Sequence, residues 1–328
     1  MKIPWIILII FGAILSASSA QTDYNSTKLC IIDWYGRGYS LFSPKVVNDP
    51  GTLENSHNAY VEPARGPNVA ILDTNENIII ASRDLQQLVG FNNSGGLIFN
   101  YSYRSCGYSP DTFDYTPDNI YVDSQSRLYI QTAPGLDYIP ILNYKCKIIE
   151  KIRPFSQDRH AIINLLNWAP EGTLFFRNPR YGWVTYANGK SIPGGSGDFY
   201  ASDSNFYHLY QTGHAAVTFE RSYDPDSFAV PATKSDSTIV LSSVDILSAD
   251  LLKGGSGEIL YVLMRLENKN HLEIWQFDLT YKLLNKLAFP DYAALDDWRI
   301  NPFIGRDGNI YEFKCLKDGL HVVRWSRK

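Results

Sequence analysis

The chain has 328 residues and a mass of 37.1 kDa, with 45% hydrophobic and 20% charged residues, which excludes a largely disordered protein. Its 30 Lys and Arg against 34 Asp and Glu give a formal net charge of −4, so no basic footprint points to a nucleic-acid partner. Aromatic residues reach 14% while only 2 Met are present, a composition that favours a β-rich fold over a helical bundle.

The N-terminal segment has the pattern of a secretory signal peptide. After a positive start, residues 3–15 are almost entirely apolar, and small residues occupy 16–20. The apolar run is too short to span a bilayer comfortably, although an uncleaved N-terminal anchor is the alternative. We therefore predict a signal peptide over 1–20, an N-terminal extension over 21–28 and one domain over 29–328. The mature protein would be secreted, periplasmic or extracellular, with no membrane span.

One pattern recurs six times along the mature chain: an apolar stretch, a turn rich in Asp, Gly or Asn, and a second apolar stretch. Each copy is typical of two short antiparallel strands joined by a tight turn. The copies begin at Asn68, Asp118, Asn164, Asp198, Asp245 and Asn301. The turn residues are Asp73, Asp123, Pro170, Asp203, Asp250 and Asp307. The successive gaps of 50, 47, 33, 47 and 57 residues are in the range of β-propeller blades.

A second unit lies between the copies and consists of an aromatic-bearing strand, a polar turn and often another strand. Two strands from each unit make a four-stranded antiparallel blade, and a ring of blades leaves no long open edge. We therefore expect an all-β fold, a six-bladed β-propeller of four-stranded antiparallel blades. Five or seven blades are the alternatives, because the gap of 33 residues is short. Only residues 84–91 and 157–168 have a fair helical pattern, too little for a parallel α/β fold.

The two ends of the domain complement one another. Residues 321–326 look like a third strand, after which the chain stops. The apolar segments 29–34 and 39–42 can supply the missing partner. We therefore expect the N-terminal segment to close the last blade.

The predicted export would permit disulfide formation between cysteines and glycosylation at sequons. Cys30 and Cys315 would share the last blade, so we predict a disulfide between them. Cys106 and Cys146 fall in consecutive repeats and would form a second bridge, although four cysteines permit three connectivities. Three sequons for N-glycosylation begin at Asn25, Asn92 and Asn100.

Two repeat cores resemble those of secreted six-bladed propellers. They are DGNIY at 307–311 and DNIYVD at 118–123. The similar families are the NHL-type, the regucalcin or gluconolactonase-like and the bacterial six-bladed propeller proteins. The resemblance covers about 29–328 and implies the fold, not an activity. Lactonase-like members imply a divalent metal held by Glu, Asn and Asp, but no position of this chain matches those ligands residue by residue.

The first residue of every copy is Asn or Asp. In a propeller the first strand of each blade lines the central channel, so these side chains would converge on one mouth. Their oxygens suit Ca²⁺, with Asp118, Asp198 and Asp245 as metal ligands, or else bound water or a polyhydroxylated ligand. Turn chemistry alone is the competing explanation, because Asp and Asn hydrogen-bond nearby backbone.

The second strand of each copy would return to the same face. It ends near Arg83, Gln131, Arg177, Gln211, Arg265 and Lys314. Of these, Arg83, Arg177 and Arg265 are candidates to bind a carboxylated or sulfated sugar, or to pair with the acidic ring. Ordinary surface arginines at strand ends are the alternative.

These observations predict an exported binding or scaffold protein, expected to be a monomer, with a protein or carbohydrate-like ligand at the channel mouth. No metalloprotease His pair, serine elbow or P-loop is present, so no catalytic residue is assigned. The alternative function is a metal-dependent hydrolase or lactonase that uses the Asn/Asp ring to hold a divalent cation. A third is a purely structural extracellular protein.

Overall fold

The computed structural model describes residues 24–37, 39–42, 66–82, 85–102, 116–133, 137–153, 165–168, 174–178, 182–187, 190–193, 199–200, 206–222, 236–242, 245–252, 254–267, 272–289 and 300–328. These ranges form 26 strands and contain no helix. They therefore include no helix long and apolar enough to cross a membrane. The predicted all-β class is therefore confirmed. The predicted signal peptide lies outside the described residues.

The strands form four-stranded antiparallel sheets, six of them within the described ranges. The chain enters through β1 (Tyr24–Ile32) and a small hairpin of β2 (Tyr35–Gly36) and β3 (Tyr39–Ser40). The first sheet holds β4 (Val69–Leu72), β5 (Ile78–Ser82), β6 (Gln87–Phe91) and β7 (Leu97–Ser102). The second holds β8 (Thr116–Val122), β9 (Leu128–Ala133), β10 (Ile139–Leu142) and β11 (Ile148–Ile152). The third holds β12 (Leu165–Trp168), β13 (Leu174–Asn178), β14 (Gly182–Ala187) and β15 (Lys190–Pro193).

The later sheets repeat this order. The fourth holds β16 (Phe199–Tyr200), β17 (Phe206–Gly213), β18 (Ala216–Ser222) and β19 (Asp236–Leu241). The fifth holds β20 (Ile246–Leu252), β21 (Ile259–Leu266), β22 (Leu272–Asp278) and β23 (Leu283–Ala288). The sixth holds β24 (Phe303–Ile304), β25 (Ile310–Leu316), β26 (Gly319–Arg327) and, as its outermost strand, β1.

Strands β5 and β21, the second strands of the first and fifth sheets, are mainly apolar on both faces because each lies between two cores. In β5, Ile78 and Ile80 pack between the sixth and first sheets, whereas Ile79 packs between the first and second. In β21, Val262 packs against the fourth sheet and Leu263 against the sixth. Alternate side chains of a strand point to opposite faces, so uninterrupted apolar runs belong to strands covered on both sides.

The N-terminal segment joins the two ends of the chain. Strand β1 pairs antiparallel with β26, from Tyr24 opposite Arg327 to Ile32 opposite Leu320. Residues 39–42 do not extend that sheet as expected. Instead β3 pairs with β2, and Leu41 and Phe42 are buried in the core between the first and sixth sheets.

Two sequence expectations are corrected by the strands. Residues 87–91 and 165–168, which had a fair helical pattern, are strands β6 and β12, because pairing with neighbouring strands outweighs weak local propensity. Asp250 is not a turn residue, since it lies inside β20 opposite Leu263. The glycine-rich residues 254–257 make that turn, and Gly254, Gly255 and Gly257 there have positive φ angles.

The predicted Cys30–Cys315 disulfide is wrong. Both residues belong to the sixth sheet, but β26 lies between their strands and both thiols are free. Two strand spacings amount to about 9–10 Å, beyond the Cα separation of about 7 Å that a disulfide can bridge. Burial raises the pKa of Cys30 to about 11 and that of Cys315 to about 12. Cys146 is disulfide-bonded, and its predicted partner Cys106 lies outside the described residues, so that pairing stays a prediction.

Candidate functional site

Several hairpins are closed by an Asp or Asn that binds its own turn. At the β4–β5 turn, Asp73 Oδ1 accepts hydrogen bonds from the backbone N–H groups of Asn75 and Asn77, both at 2.8 Å. Glu76 completes this turn with a φ of 59°. The same side-chain bonding occurs at Asn92, Asp123, Asn143 and Asp278. At these turns, backbone hydrogen bonding accounts for the Asp and Asn residues.

The sixth sheet departs from the predicted alignment at its equivalent turn. In the first sheet, Asp73 N donates to Asn77 O and Asp73 O accepts from Glu76 N. Gly305 makes the equivalent pair in the sixth sheet, because its N donates to Asn309 O and its O accepts from Gly308 N. Gly305, and not Asp307, therefore occupies the anchor position. The spacing to the next strand would have identified this position in the sequence. Asp73 lies five residues before the start of β5, and Gly305 lies five residues before the start of β25.

A pocket of about 220 Å³ lies beside these turns. Its lining comes from the first, second, fifth and sixth sheets and the turns between their strands. The apolar lining includes Ile71, Leu72, Val122, Phe303 and Ile304. The polar lining includes Asp73, Glu76, Tyr121, Arg306, Asp307 and Tyr311. Pockets that combine apolar walls with a few convergent polar groups are the usual form of a small-ligand site.

Asp73 is committed to structure. Besides the two backbone bonds at Oδ1, its Oδ2 accepts from Asn77 Nδ2 at 2.8 Å and from the Tyr144 hydroxyl at 2.5 Å. Tyr144 belongs to the β10–β11 turn, so this bond ties the second sheet to the first. Burial, followed by the hydrogen bond to Asp73, raises the pKa of Tyr144. Asp73 therefore positions one side of the pocket and has little capacity left for a ligand.

Glu76 links the first sheet to the sixth. Its Oε1 accepts from the Tyr311 hydroxyl at 3.0 Å and from Arg324 Nη1 at 2.9 Å. The ion pair is partly exposed, with 33% of the Glu76 side chain and 31% of the Arg324 side chain accessible. Burial and the nearby negative charges of Asp307 and Glu76 raise the pKa of Tyr311, which keeps it a neutral hydrogen-bond donor. The Glu76 charge is thus balanced by Arg324 at the rim.

Arg306 is the charged group of the pocket with the most unused donors. It is exposed at the β24–β25 turn and, among the described residues, makes one long hydrogen bond, from Nη2 to the Tyr121 hydroxyl at 3.4 Å. The neighbouring Asp307 is occupied, because its carboxylate accepts from the backbone and side-chain nitrogens of Asn309. A guanidinium in this setting can donate further hydrogen bonds to a ligand oxygen.

A close backbone contact forms the fifth-sheet side of the pocket. Gly254 makes a parallel bridge to Ile304, and a Cβ at Gly254 would lie 2.1 Å from the Ile304 carbonyl oxygen. Gly255 approaches Tyr261, whose pKa burial raises to about 12. Only glycine permits this approach, so backbone atoms form this wall of the pocket.

The structure describes the side chains of three members of the predicted Asn/Asp ring, which are Asn68, Asp245 and Asn301. Asn68 precedes β4, at the opposite end of that strand from Asp73 and the pocket. Asp245 and Asn301 are exposed, and Asp118 lies at a register shift in β8. The side chain of Asp118, and all of Asn164 and Asp198, lie outside the described residues. The ring therefore stays a prediction.

The predicted basic residues are described only in part. The β20–β21 hairpin does bring Arg265 back to the Asp245 end, since Glu267 N donates to Asp245 O at 2.9 Å. Arg265 is half-buried, and its Nε is a buried donor without a hydrogen-bond partner. Arg83 and the side chain of Arg177 lie outside the described residues.

The described ranges contain no group of three or more His, Cys, Asp or Glu side chains that could hold a metal ion. Of the three predicted metal ligands, Asp245 is the one whose side chain they include. The predicted Ca²⁺ site is therefore untested.

No protein-family model and no curated protein matches the chain. Among solved structures it is similar to a streptogramin B lyase, at 10% identity over 95% of this chain and 100% of that one, with a TM-score of 0.46. It is similar to virginiamycin B lyase from Staphylococcus aureus, at 11% identity over 80% and 94% of the two chains and a TM-score of 0.42. Regucalcin from Agrobacterium tumefaciens, a calcium-binding protein, matches at 11% identity over 78% and 88%, with a TM-score of 0.43. The resemblance concerns the fold alone, and such low identities carry nothing about ligand or catalysis.

Proposed function

We propose that the chain is an exported six-bladed β-propeller that acts as a binding module, with a small hydroxylated, carbohydrate-like ligand in the pocket beside Arg306. The protein would act as a monomer, and export is supported by the signal-peptide pattern of residues 1–20. The observation that carries the proposal is the pocket of about 220 Å³, whose lining comes from two distant parts of the chain, residues 71–122 and 254–311.

The packing of consecutive sheets supports the propeller. Shared cores join the fourth sheet to the fifth, the fifth to the sixth, the sixth to the first and the first to the second. The last sheet thus packs against the first, as a ring requires. The pairing of β1 with β26, which brings the two ends of the chain into one sheet, supports the predicted closure.

The charges of the pocket favour a neutral, hydroxyl-bearing ligand. The lining carries the carboxylates of Asp73, Glu76 and Asp307 against the guanidinium of Arg306, with Arg324 paired to Glu76 at the rim, so it offers no excess positive charge to an anionic ligand. Sugar hydroxyls can accept hydrogen bonds from Arg306 and can also donate to acceptors such as the Glu76 carboxylate. The C–H face of a sugar ring can pack on the apolar lining. Because the walls are strand ends and backbone, little entropy would be lost on binding.

Calorimetric titration with a panel of monosaccharides tests the proposal. The panel contains glucose, galactose, mannose, xylose, N-acetylglucosamine and glucuronate. We expect saturable binding of at least one member and a loss of about tenfold or more in Arg306→Gln, because a charged hydrogen bond contributes about 1.5–3 kcal/mol. Arg153→Gln is the matched control, since that arginine is 48% exposed in the second sheet and does not line the pocket. No binding across the panel, or equal affinity in both variants, would refute the assignment.

The alternative, a metal-dependent hydrolase or lactonase that uses the Asn/Asp ring, makes a different prediction. Calcium should raise the melting temperature of the wild-type protein in a dose-dependent way, and Asp118→Ala or Asp245→Ala should abolish the rise. A rise unaffected by both substitutions would place the ion elsewhere.

A further inference from the structure

The chain carries three sequons, and the structure presents their asparagines in three different ways. A glycan attaches to the Asn side-chain nitrogen and needs open solvent around it. Asn25 lies in β1, Asn92 in the β6–β7 turn and Asn100 in β7. We propose that Asn25 carries an N-linked glycan and that Asn92 and Asn100 do not. The proposal rests on the export of the protein.

Asn25 is exposed, and its neighbours hold it in place. The adjacent Tyr24 is buried at 7% exposure in the core between the fifth and sixth sheets, where its hydroxyl accepts a hydrogen bond from Gln276 Nε2. Because successive side chains alternate between faces, a buried Tyr24 directs Asn25 the other way. Ser26 and Thr27, which complete the sequon, are also exposed. The whole sequon is therefore accessible on an ordered strand.

Asn92 is committed to its turn. Its Oδ1 accepts from Ser94 N at 3.1 Å, from Ser94 Oγ at 2.8 Å and from Gly96 N at 2.7 Å. A Cβ placed on Gly96 would lie 2.8 Å from Asn92 Nδ2, so this nitrogen lies close to the Gly96 backbone. A glycan on that nitrogen would displace the turn that joins β6 to β7.

Asn100 is half-buried in the middle of the first sheet. Its Oδ1 is buried, and the residue pairs with Val89. A glycan here would have to displace the groups that cover this amide.

The glycan would also protect an exposed edge. Strand β1 is the outermost strand of the sixth sheet, so one side of its backbone has no partner strand among the described residues. Unpaired edges invite pairing with other chains, and natural proteins block them with charges or covering groups. A sugar chain at Asn25 would cover the start of this edge.

Secretion of the full chain from insect cells tests the proposal. One version keeps its own residues 1–20 and another carries an unrelated cleavable signal in their place. Treatment with an N-glycosidase should increase gel mobility and convert Asn25 to Asp, which peptide mass mapping detects. The shift should vanish in Asn25→Gln and in Thr27→Ala, whereas Ser26→Ala, which keeps the sequon, should retain it.

The outcomes separate the two claims. Absence of a glycan at Asn25 under the unrelated signal would overturn the proposal, as would equal or higher occupancy at Asn92 or Asn100. A glycan at Asn25 under the unrelated signal, but no secretion with the chain's own segment, would leave the site standing and refute the predicted export.

Discussion

The substitution Phe42→Ala tests whether the N-terminal hairpin is part of the core that joins the first and last sheets. Phe42 is 2% exposed, its ring centroid lies 5.3 Å from that of Trp34, and the Trp34 Nε1–H donates to Leu316 O at 2.6 Å. Truncating a buried Phe to Ala in a packed core costs about 3–5 kcal/mol. We expect a loss of this size in the free energy of unfolding.

Equilibrium unfolding in urea measures the effect, and the midpoint should fall with little change in the denaturant slope. Tyr35→Ala is the matched control, because this aromatic belongs to the same hairpin but is 59% exposed. It should change stability by no more than about 0.5 kcal/mol. Amide exchange in β1 and β26 should accelerate in Phe42→Ala alone. Equal losses in the two variants would show that the hairpin does not hold the two sheets together.

Three further substitutions or measurements follow from the structure. Burial raises the pKa of Glu312, so the stability that its protonated form contributes is present below pH 4.5 and is lost as pH rises through the raised pKa. Relative to the wild type, Glu312→Gln should therefore become more stable as pH increases. If the melting temperatures of the two proteins changed with pH in the same way, this reasoning would be contradicted. Gly254→Ala should destabilise the protein by about 1–3 kcal/mol or more, because its φ of 121° and the Ile304 carbonyl leave no room for a Cβ. A denaturant midpoint equal to that of the wild type would contradict the close contact. Cys30 and Cys315 should react with a thiol reagent only after unfolding, because both thiols are buried. Peptide mass mapping that finds a disulfide between them would contradict this prediction.

Much of the sheet architecture could be predicted because the pattern of apolar residues along each strand reflects which of its faces are buried. The run at 78–81 is apolar at every position, and its alternate residues face two different cores. Asp73 and Asp123 marked true turns because their carboxylates bond the turn backbone. The Asp250 prediction failed because its strand is longer, and glycines supply the positive φ angles of that turn.

The pocket was harder to predict because its residues have no shared sequence pattern. Arg306 stands in a turn whose anchor position is a glycine, so the alignment on Asp307 concealed it. The Asn/Asp pattern directed attention to the end of β4 that carries Asn68, whereas the pocket lies at the Asp73 end. A repeating signal identifies what all sheets share, while a binding site depends on where they differ.

The sequence by itself determined the all-β class, the hairpins and the strand pairing between the two ends of the chain, because these depend on local apolar alternation and turn chemistry. Tertiary structure alone decided which groups meet. It placed β26 between Cys30 and Cys315, which prevents their bonding, and it brought Arg306 to the Tyr121 hydroxyl across 185 residues. Such contacts depend on strand order and on how sheets pack, and neither is encoded in the spacing of any single repeat.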